Sequence, residues 1–431
     1  MKNKKIIISV FAVCAIIIAL TACLVGMLGG GGGSTSASHA TTSATAETPV
    51  PSHTHEYGAD GVCTGCGVIS EDMLGFDTGY GEYCAVFAKE GVTYPSVLVI
   101  PESVGGLPVK LVAQKGFFGV SGIEEIYLPE TVENVGMEAF SGCADLKKAV
   151  VYGNIASGAF MNCENLETVD MRAGNSIGDY AFSGCTLLEN IDAEEALMFL
   201  GRYAFSGCAS LSEISLGNIR TIPMYAFEGC ERLETVEIPE SVKQIETGAF
   251  LGCFRLKSVS IPDSVTVLMS GIFENCVSLA QVRLPSGMFE IPERMFLNCM
   301  SLAEIEIPEG VEAIMDMAFG GCKKLKEIKL HEGIVYVGAY AFSACDSLES
   351  IVLHEGLDTL SYGAFFSCRS LSSVTLPESI ANIYEYALDD CENLVTIIYG
   401  GTLEKWNAIY KYDIKGGCTV YCEDGQINLW E

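Results

Sequence analysis

A phenylalanine recurs at a nearly constant interval through most of the chain, and this period limits the possible folds more than any other feature of the sequence. Nine of the twelve intervals between the thirteen copies are 23 residues long, two are 22 and one is 20. A period of this length is typical of a solenoid, whose units bury their apolar faces only by stacking on one another. The marker positions are Phe117, Phe140, Phe160, Phe182, Phe205, Phe227, Phe250, Phe273, Phe296, Phe319, Phe342, Phe365 and, in the last copy, Leu388.

Each copy also contains a short run in which apolar and polar residues alternate. One such run reads Ser-Val-Ser-Ile-Pro over residues 258–262. Alternation predicts a β-strand with one face in the core and the other in water, and proline ends the strand because it has no N–H to donate. The repeat therefore predicts a solenoid of about 13 coils of 20–23 residues. Each coil is expected to have one short parallel strand and, on the other side, short helical or 3-10 turns, with a cap at each end of the solenoid.

The L-x-x-I-x-L core of the repeat resembles the leucine-rich repeat. The elements Pro-Glu-Ser-Val at 239–242, Gly-Ala-Phe at 248–250 and Gly-Cys at 252–253 are similar to those of the BspA-like branch of bacterial surface proteins. The resemblance covers about residues 97–400. It implies an α/β-type leucine-rich repeat solenoid and a role in adhesion or protein–protein contact at the cell surface.

Twelve of the 19 cysteines occupy a single repeat position, three residues after the marker. Neighbouring Cα atoms at this position would be close enough to form disulfides. The favoured interpretation is a column of buried thiols that act as small hydrophobic side chains, because Val120 takes the same position in the first copy. A metal or redox role is the alternative. These cysteines are Cys143, Cys163, Cys185, Cys208, Cys230, Cys253, Cys276, Cys299, Cys322, Cys345, Cys368 and Cys391.

The N-terminus has the layout of a secretory signal, with three lysines before a predominantly apolar run. The stretch Leu-Thr-Ala-Cys at 20–23 looks like a bacterial lipobox, and by this resemblance Cys23 would be the lipid-modified first residue of the mature protein. Because the apolar run over 6–28 is long enough to cross a bilayer, an uncleaved anchor is the alternative. Segment 1–28 is predicted to anchor the chain to the bacterial cell membrane from outside the cytoplasm. Residues 29–52, rich in Gly, Ser, Thr and Ala, are predicted to be a flexible tether.

Residues 53–67 contain a candidate metal site. His53, His55, Cys63 and Cys66 form an H-x-H plus C-x-x-C set. Imidazole and thiolate are ligands that suit tetrahedral Zn²⁺, so the set predicts a small structural zinc knuckle with all four positions filled. A Cys63–Cys66 disulfide or a plain linker is the alternative in an exported protein. No other cofactor is predicted.

The segments on either side of the repeats are predicted to be caps. Residues 68–116 contain apolar runs and end a first strand with Ile-Pro-Glu-Ser-Val at 100–104, as the later copies do. This segment is expected to cover the first coil of the solenoid, which spans 117–399. Residues 400–431 are expected to close the other end, with Trp406 against the last coil. Cys418 and Cys422 either pair or remain thiols.

The charge balance limits the possible partners. The chain has 25 basic and 55 acidic residues, a net charge of −30. Binding of nucleic acid depends on Lys and Arg neutralising phosphates, so the charge argues against nucleic acid as a partner. It likewise argues against docking on anionic lipid, and membrane contact is predicted only through the N-terminal anchor. The charge favours basic partners.

No enzyme motif is present. The chain has five histidines, and it contains no G-x-S-x-G or H-E-x-x-H motif and no glycine-rich phosphate loop. The protein is therefore predicted not to be an enzyme.

The water-facing side of the predicted sheet is the predicted binding surface for a protein or surface polymer. It has polar variety but no aromatic stripe and no run of one charge. This pattern suits an extended recognition surface, and it suits equally a solvated face without a ligand. The leading hypothesis is a binding or adhesion module, and the alternative is a structural or scaffolding envelope protein without a dedicated ligand. The charged candidates are Glu213, Glu237, Arg283, Glu304, Glu306, Glu327 and Lys329.

Overall fold

The computed structural model describes residues 54–193, 197–412, 414 and 417–429. His53–Glu431 form one compact unit. Its chain winds as a solenoid of about 14 turns built from parallel strands with almost no helix, which confirms the predicted fold class. The predicted anchor segment and Cys23 lie outside the described residues. Within those residues, no helix has the length and apolar character that crossing a membrane requires.

The predicted column of strands runs along one side of the solenoid. Its strands pair in parallel, with equivalent positions of successive coils opposite each other, as Thr168 is opposite Lys148 and Asn190. Apolar side chains such as Val169 are buried, and the alternate polar side chains form the water-facing surface, here called the polar sheet face. Numbered in chain order, the strands of this column are β3 (Val97–Val99), β6 (Glu125–Tyr127), β8 (Lys148–Val151), β10 (Thr168–Met171), β12 (Asn190–Asp192), β16 (Ser258–Ser260), β18 (Gln281–Arg283), β22 (Ser350–Val352), β24 (Ser373–Leu376), β26 (Thr396–Tyr399) and β28 (Thr419–Cys422).

A second short strand is present in each coil, in addition to the one predicted. It is mostly two residues long, with a buried second residue such as Ile245. Two residues contain no full period of alternation, so the sequence pattern does not reveal this strand. Within the described residues the second column consists of β5 (Leu107–Val112), β7 (Asn134–Val135), β9 (Asn154–Ile155), β11 (Ser176–Ile177), β13 (Phe199–Leu200), β14 (Thr221–Ile222), β15 (Gln244–Ile245), β17 (Val267–Leu268), β19 (Glu290–Ile291), β20 (Ala313–Ile314), β21 (Tyr336–Val337), β23 (Thr359–Leu360), β25 (Asn382–Ile383) and β27 (Tyr410–Lys411).

A turn around the marker phenylalanine closes each coil. Gly248 and Gly252, two residues before and after Phe250, have left-handed backbone, with φ of 61° and 72°. With left-handed residues on both sides of the phenylalanine, the N–H groups of Gly248, Phe250 and Gly252 all point towards the next coil, where they donate to backbone carbonyls at 2.8–3.0 Å. The same three bonds, 2.7–3.1 Å long, join every pair of neighbouring coils from Phe117 to Leu388. This continuous set of bonds is here called the turn ladder.

The core behind the turn ladder is a stack of phenylalanine rings beside a column of thiols. Neighbouring rings from Phe117 to Phe365 are stacked, with centroids 5.2–5.9 Å apart. Each thiol donates to the carbonyl of the phenylalanine in the preceding coil at 3.0–3.3 Å, as Cys253 does to Phe227. Burial raises the pKa of Cys143 to about 12, so the thiol stays protonated and keeps this donor. The thiols therefore fill the core, as favoured above, and also make a hydrogen bond that valine cannot make.

An antiparallel hairpin covers the N-terminal end of the second column. β1 (Leu74–Asp77) pairs with β2 (Cys84–Ala88), and β2 pairs in parallel with β5. β4 (Ser103–Val104) pairs antiparallel with β5, and a 3-10 turn at Glu71–Met73 precedes β1. The second column therefore ends in a hairpin instead of another coil.

A helix and a second hairpin close the C-terminal end. Helix α1 (Leu403–Ala408) begins after Thr402, whose side chain caps it, and buries Trp406. The indole ring of Trp406 lies 5.5 Å from the ring of Tyr399, at the end of β26. β29 (Gly425–Asn428) pairs antiparallel with β28 and ends the polar column. Trp406 therefore packs over the last coil.

Candidate binding face and metal cluster

The candidate binding surface is the polar sheet face. All seven charged residues predicted for it are exposed. Six of them line two neighbouring grooves, and Glu213 lies outside both. Their role in binding stays a prediction.

Groove 1 has a volume of about 700 Å³ and crosses three coils. Glu237 and Arg283 bring opposite charges to it. The Arg283 guanidinium donates to Asp263 Oδ2 and to the carbonyl of Ile261, each at 3.0 Å. The backbone N–H of Ser286 and then Arg283 lower the pKa of Asp263, so this pair is ionised and largely compensated. Groove 1 is lined by residues 235–238, 240, 258–260, 262 and 281–283.

Groove 2 has a volume of about 950 Å³ and contains the other four predicted residues. Lys329 Nζ lies 3.8 Å from Glu327 Oε1, and both side chains are highly exposed, so their mutual attraction is weak. Within the described residues, Glu304 and Glu306 form no ion pair. The carboxylates of groove 2 are therefore available to a basic partner. Groove 2 is lined by residues 280–282, 303–307, 309, 326–327 and 329–331.

The grooves lie where the column of polar strands is interrupted. Residues 304–307 and 327–330 keep the alternating pattern but form no strand. The stacked rings are farthest apart between Phe273 and Phe296, at 5.9 Å, and this boundary between coils is here called the 273/296 junction. Within the described part of the chain, only the turn ladder supplies backbone hydrogen bonds across it. The coils therefore separate on the polar side, and Ile305 becomes part of the floor of groove 2.

A column of tyrosines beside the turn ladder was missed by the sequence analysis. The rings of Tyr180, Tyr203 and Tyr225, each two residues before a marker, stack at 4.8 and 5.1 Å. Their φ values of 54–57° are in the left-handed region that aromatic residues rarely adopt. The recurring Tyr-Ala-Phe, repeated at Tyr340 and as Tyr-Ala-Leu at Tyr386, was the available signal. These three tyrosine rings therefore lie beside the turns and not on the polar sheet face.

Three of the four predicted metal ligands come together near the N-terminal end of the polar column. The ligand atoms of His55, Cys63 and Cys66 all lie within 4.8 Å of one another. His55 Nδ1 is 3.2 Å from Cys66 Sγ. The Cys63 residue is 3% exposed. The fourth predicted ligand, His53, lies outside the described residues.

Parallel strands stacked at a period of about 23 residues, with apolar side chains at fixed positions of every coil, define a leucine-rich repeat solenoid. The family model "BspA type Leucine rich repeat region" matches residues 107–191, 153–280 and 289–412, in six copies. These matches cover more than half of the chain. The chain belongs to this family.

Solved structures of bacterial leucine-rich repeat proteins are similar to this chain. One from Bacteroides ovatus is 25% identical, with a TM-score of 0.60, over 79% of this chain and 96% of that one. A leucine-rich cell surface protein from Faecalibacterium prausnitzii is 23% identical, with a TM-score of 0.47, over 79% of this chain and 97% of that one. No curated protein matches the sequence. The Bacteroides ovatus structure shares the solenoid fold.

Proposed function

We propose that this protein is an exported, membrane-tethered surface protein that binds a partner carrying basic groups through grooves 1 and 2. The partner is a protein or a surface polymer, and the role is binding instead of catalysis. One observation carries the proposal: six of the seven charged residues predicted for the polar sheet face line two adjoining grooves. Groove 2 brings together Glu304, Glu306, Glu309 and Glu327, which are complementary to lysine and arginine side chains.

The N-terminal sequence supports the location. Three lysines, an apolar run and Cys23 in a lipobox-like stretch favour export and attachment to the membrane. The Gly-, Ser- and Thr-rich residues 29–52 are long enough to hold the solenoid away from the bilayer. An anchored solenoid with an acidic groove suits adhesion, because a flexible tether lets the solenoid reach binding partners on another cell or surface.

The test is a binding screen of the purified full chain against extracellular matrix proteins, glycans and cell-envelope fractions, at physiological and high salt. We expect a selective interaction that weakens with salt, because exposed charge pairs are screened. For the partner so found, the triple variant Glu304→Lys, Glu306→Lys, Glu327→Lys should weaken binding about tenfold, as expected when three exposed ion pairs of about 0.5 kcal/mol each are lost.

A matched variant controls for the change in net charge. Glu90→Lys, Glu164→Lys, Glu231→Lys changes three exposed carboxylates outside both grooves and should leave the affinity unchanged. Equal weakening by both triples would show a nonspecific charge effect and contradict the proposal. A folded chain with no selective partner, together with envelope defects on deletion, would favour the structural role instead.

A further inference from the structure

The cluster of His55, Cys63 and Cys66 stands on a tightly bonded loop. The backbone N–H of Gly67 donates to Cys63 O and the N–H of Cys63 to Val68 O, both at 2.9 Å. Gly67 has left-handed backbone, with φ of 77°, as a tight turn after the second cysteine requires. These bonds fix the two cysteines on one side of the same turn.

The chemistry of the site suits a divalent cation. Cys63 and Cys66 supply sulfur atoms and His55 supplies a nitrogen atom, which are the ligand atoms that Zn²⁺ prefers. When two cysteines bind a metal as thiolates, a divalent ion balances their two negative charges.

The distances fit a small tetrahedral ion. With bonds of about 2.0–2.3 Å to nitrogen and sulfur, ligand atoms around tetrahedral Zn²⁺ lie roughly 3.5–3.8 Å apart. The described ligand atoms are separated by 3.2 Å at the His55–Cys66 contact and by no more than 4.8 Å overall. Shifts of about an ångström in side-chain position bring all three within bonding distance of one ion.

The same loop lies against the exposed edge of the polar column. Val68 forms a parallel bridge with Val99 of β3, and the N–H of Ile69 donates to Val99 O at 3.1 Å. β3 is the first strand of that column, and its outer edge otherwise offers unpaired backbone groups. An interaction that holds this loop in place therefore also keeps the outer edge of β3 covered.

We propose that His55, Cys63 and Cys66 bind one structural zinc ion, which fastens the loop 55–69 onto β3 and so closes the first edge of the polar sheet face. The role of the ion is to hold the cap in place. The proposal is independent of any partner in grooves 1 and 2.

The test uses the purified full chain in reducing buffer. We expect one zinc per chain by elemental analysis, and visible absorption bands of tetrahedral thiolate-bound Co²⁺ after the chain is stripped and given Co²⁺. Removing the metal should speed amide exchange at Gly67 and Ile69 at least tenfold, while Phe250 N–H in the turn ladder is unchanged. Cys66→Ser should lower the affinity for zinc about a hundredfold or more.

The matched control is Cys422→Ser, which removes another half-buried thiol, in the C-terminal hairpin. It should leave zinc content and the exchange of Gly67 unchanged. A Cys63–Cys66 disulfide in the chain isolated without reductant from its own envelope, seen as a mass lower by two hydrogens, would overturn the proposal. Equal zinc content in Cys66→Ser and the unmodified chain would also overturn it.

Discussion

The turn side and the polar side of the solenoid differ in how continuous they are. The turn ladder repeats the same three bonds between all neighbouring coils from Phe117 to Leu388. The polar strands pair in separate groups, and residues 304–307 and 327–330 pair with neither neighbour as strands. Backbone and core interactions on the turn side therefore hold the coils together, which leaves the polar side free to vary in spacing and side chain. The grooves lie on the side that varies.

The largest expected effect concerns alkali and the thiols of the turn side. Burial raises the pKa of Cys143 from 9.0 to about 12, so its proton is held more tightly in the folded than in the unfolded chain. Stability is thus unaffected below about pH 9 and falls as the pH rises from 9 towards 12, by ~1.4 kcal/mol per pH unit for each such thiol. The column multiplies this loss, so we expect cooperative unfolding within about one or two pH units above 9, measured by circular dichroism.

Cys143→Val provides the control for this prediction, because Val120 already occupies the equivalent position of the first copy. The free energy of unfolding of this variant should fall less steeply with rising pH than that of the unmodified chain. The difference between the two slopes should equal the contribution of one thiol. Equal slopes would show that the tyrosines, and not the thiols, control the transition.

Removal of one ring from the stack should have the next largest effect. Phe250 is fully buried between Phe227 and Phe273, with centroids at 5.3 and 5.6 Å. Phe250→Ala should lower the free energy of unfolding by about 3–5 kcal/mol, measured in denaturant. Val282→Ala, on the partly accessible floor of the grooves, should cost about 1 kcal/mol. Similar losses at both positions would contradict the division between the two sides.

A smaller effect is expected when the left-handed backbone of the turn ladder is disfavoured. Gly252 has φ of 72°, and a Cβ added there would meet its nearest atoms at an ordinary 3.7 Å. Gly252→Ala therefore tests conformation without a clash, and should cost about 1–2 kcal/mol in denaturant unfolding. Gly287, which has no positive φ and open space around it, is the control and should tolerate alanine. An unchanged free energy of unfolding in Gly252→Ala would mean that the turn ladder accommodates alanine at this position.

The smallest effect is expected on the polar sheet face. Glu306→Gln removes one exposed charge without changing shape, and should alter the free energy of unfolding by no more than about 0.5 kcal/mol in the same assay. A loss above 1 kcal/mol would show that groove 2 contributes to folding.

The sequence predicted the polar column because Val259 and Ile261 alternate with serines, a pattern long enough to identify a strand. It did not predict the second column, since pairs such as Gln244–Ile245 are too short to show a period. The sequence revealed only some of the positions with left-handed backbone. Glycine marks some of them, but others are occupied by residues such as Tyr225, whose conformation is imposed by the ladder bonds of the neighbouring coils.

The candidate site was predictable to a similar degree. The exposed side of each strand follows from alternation, so the charged residues of the polar sheet face could be named. The grooves could not, because Glu304-Ile305-Glu306 has the same alternation as the paired Ser258–Ser260, and the spacing of coils depends on contacts far apart in sequence. Convergence of Cys63 and Cys66 was implied by their spacing, whereas the approach of His55 Nδ1 to 3.2 Å from Cys66 Sγ depends on how the whole loop folds.

The 273/296 junction has a mechanical consequence. Its three backbone hydrogen bonds all belong to the turn ladder and therefore lie along one side of the solenoid. A rotation about that line would keep all three bonds and would widen or narrow groove 2, whose walls come from both halves. A partner seated there would fix the width of groove 2 and with it the angle between the two halves.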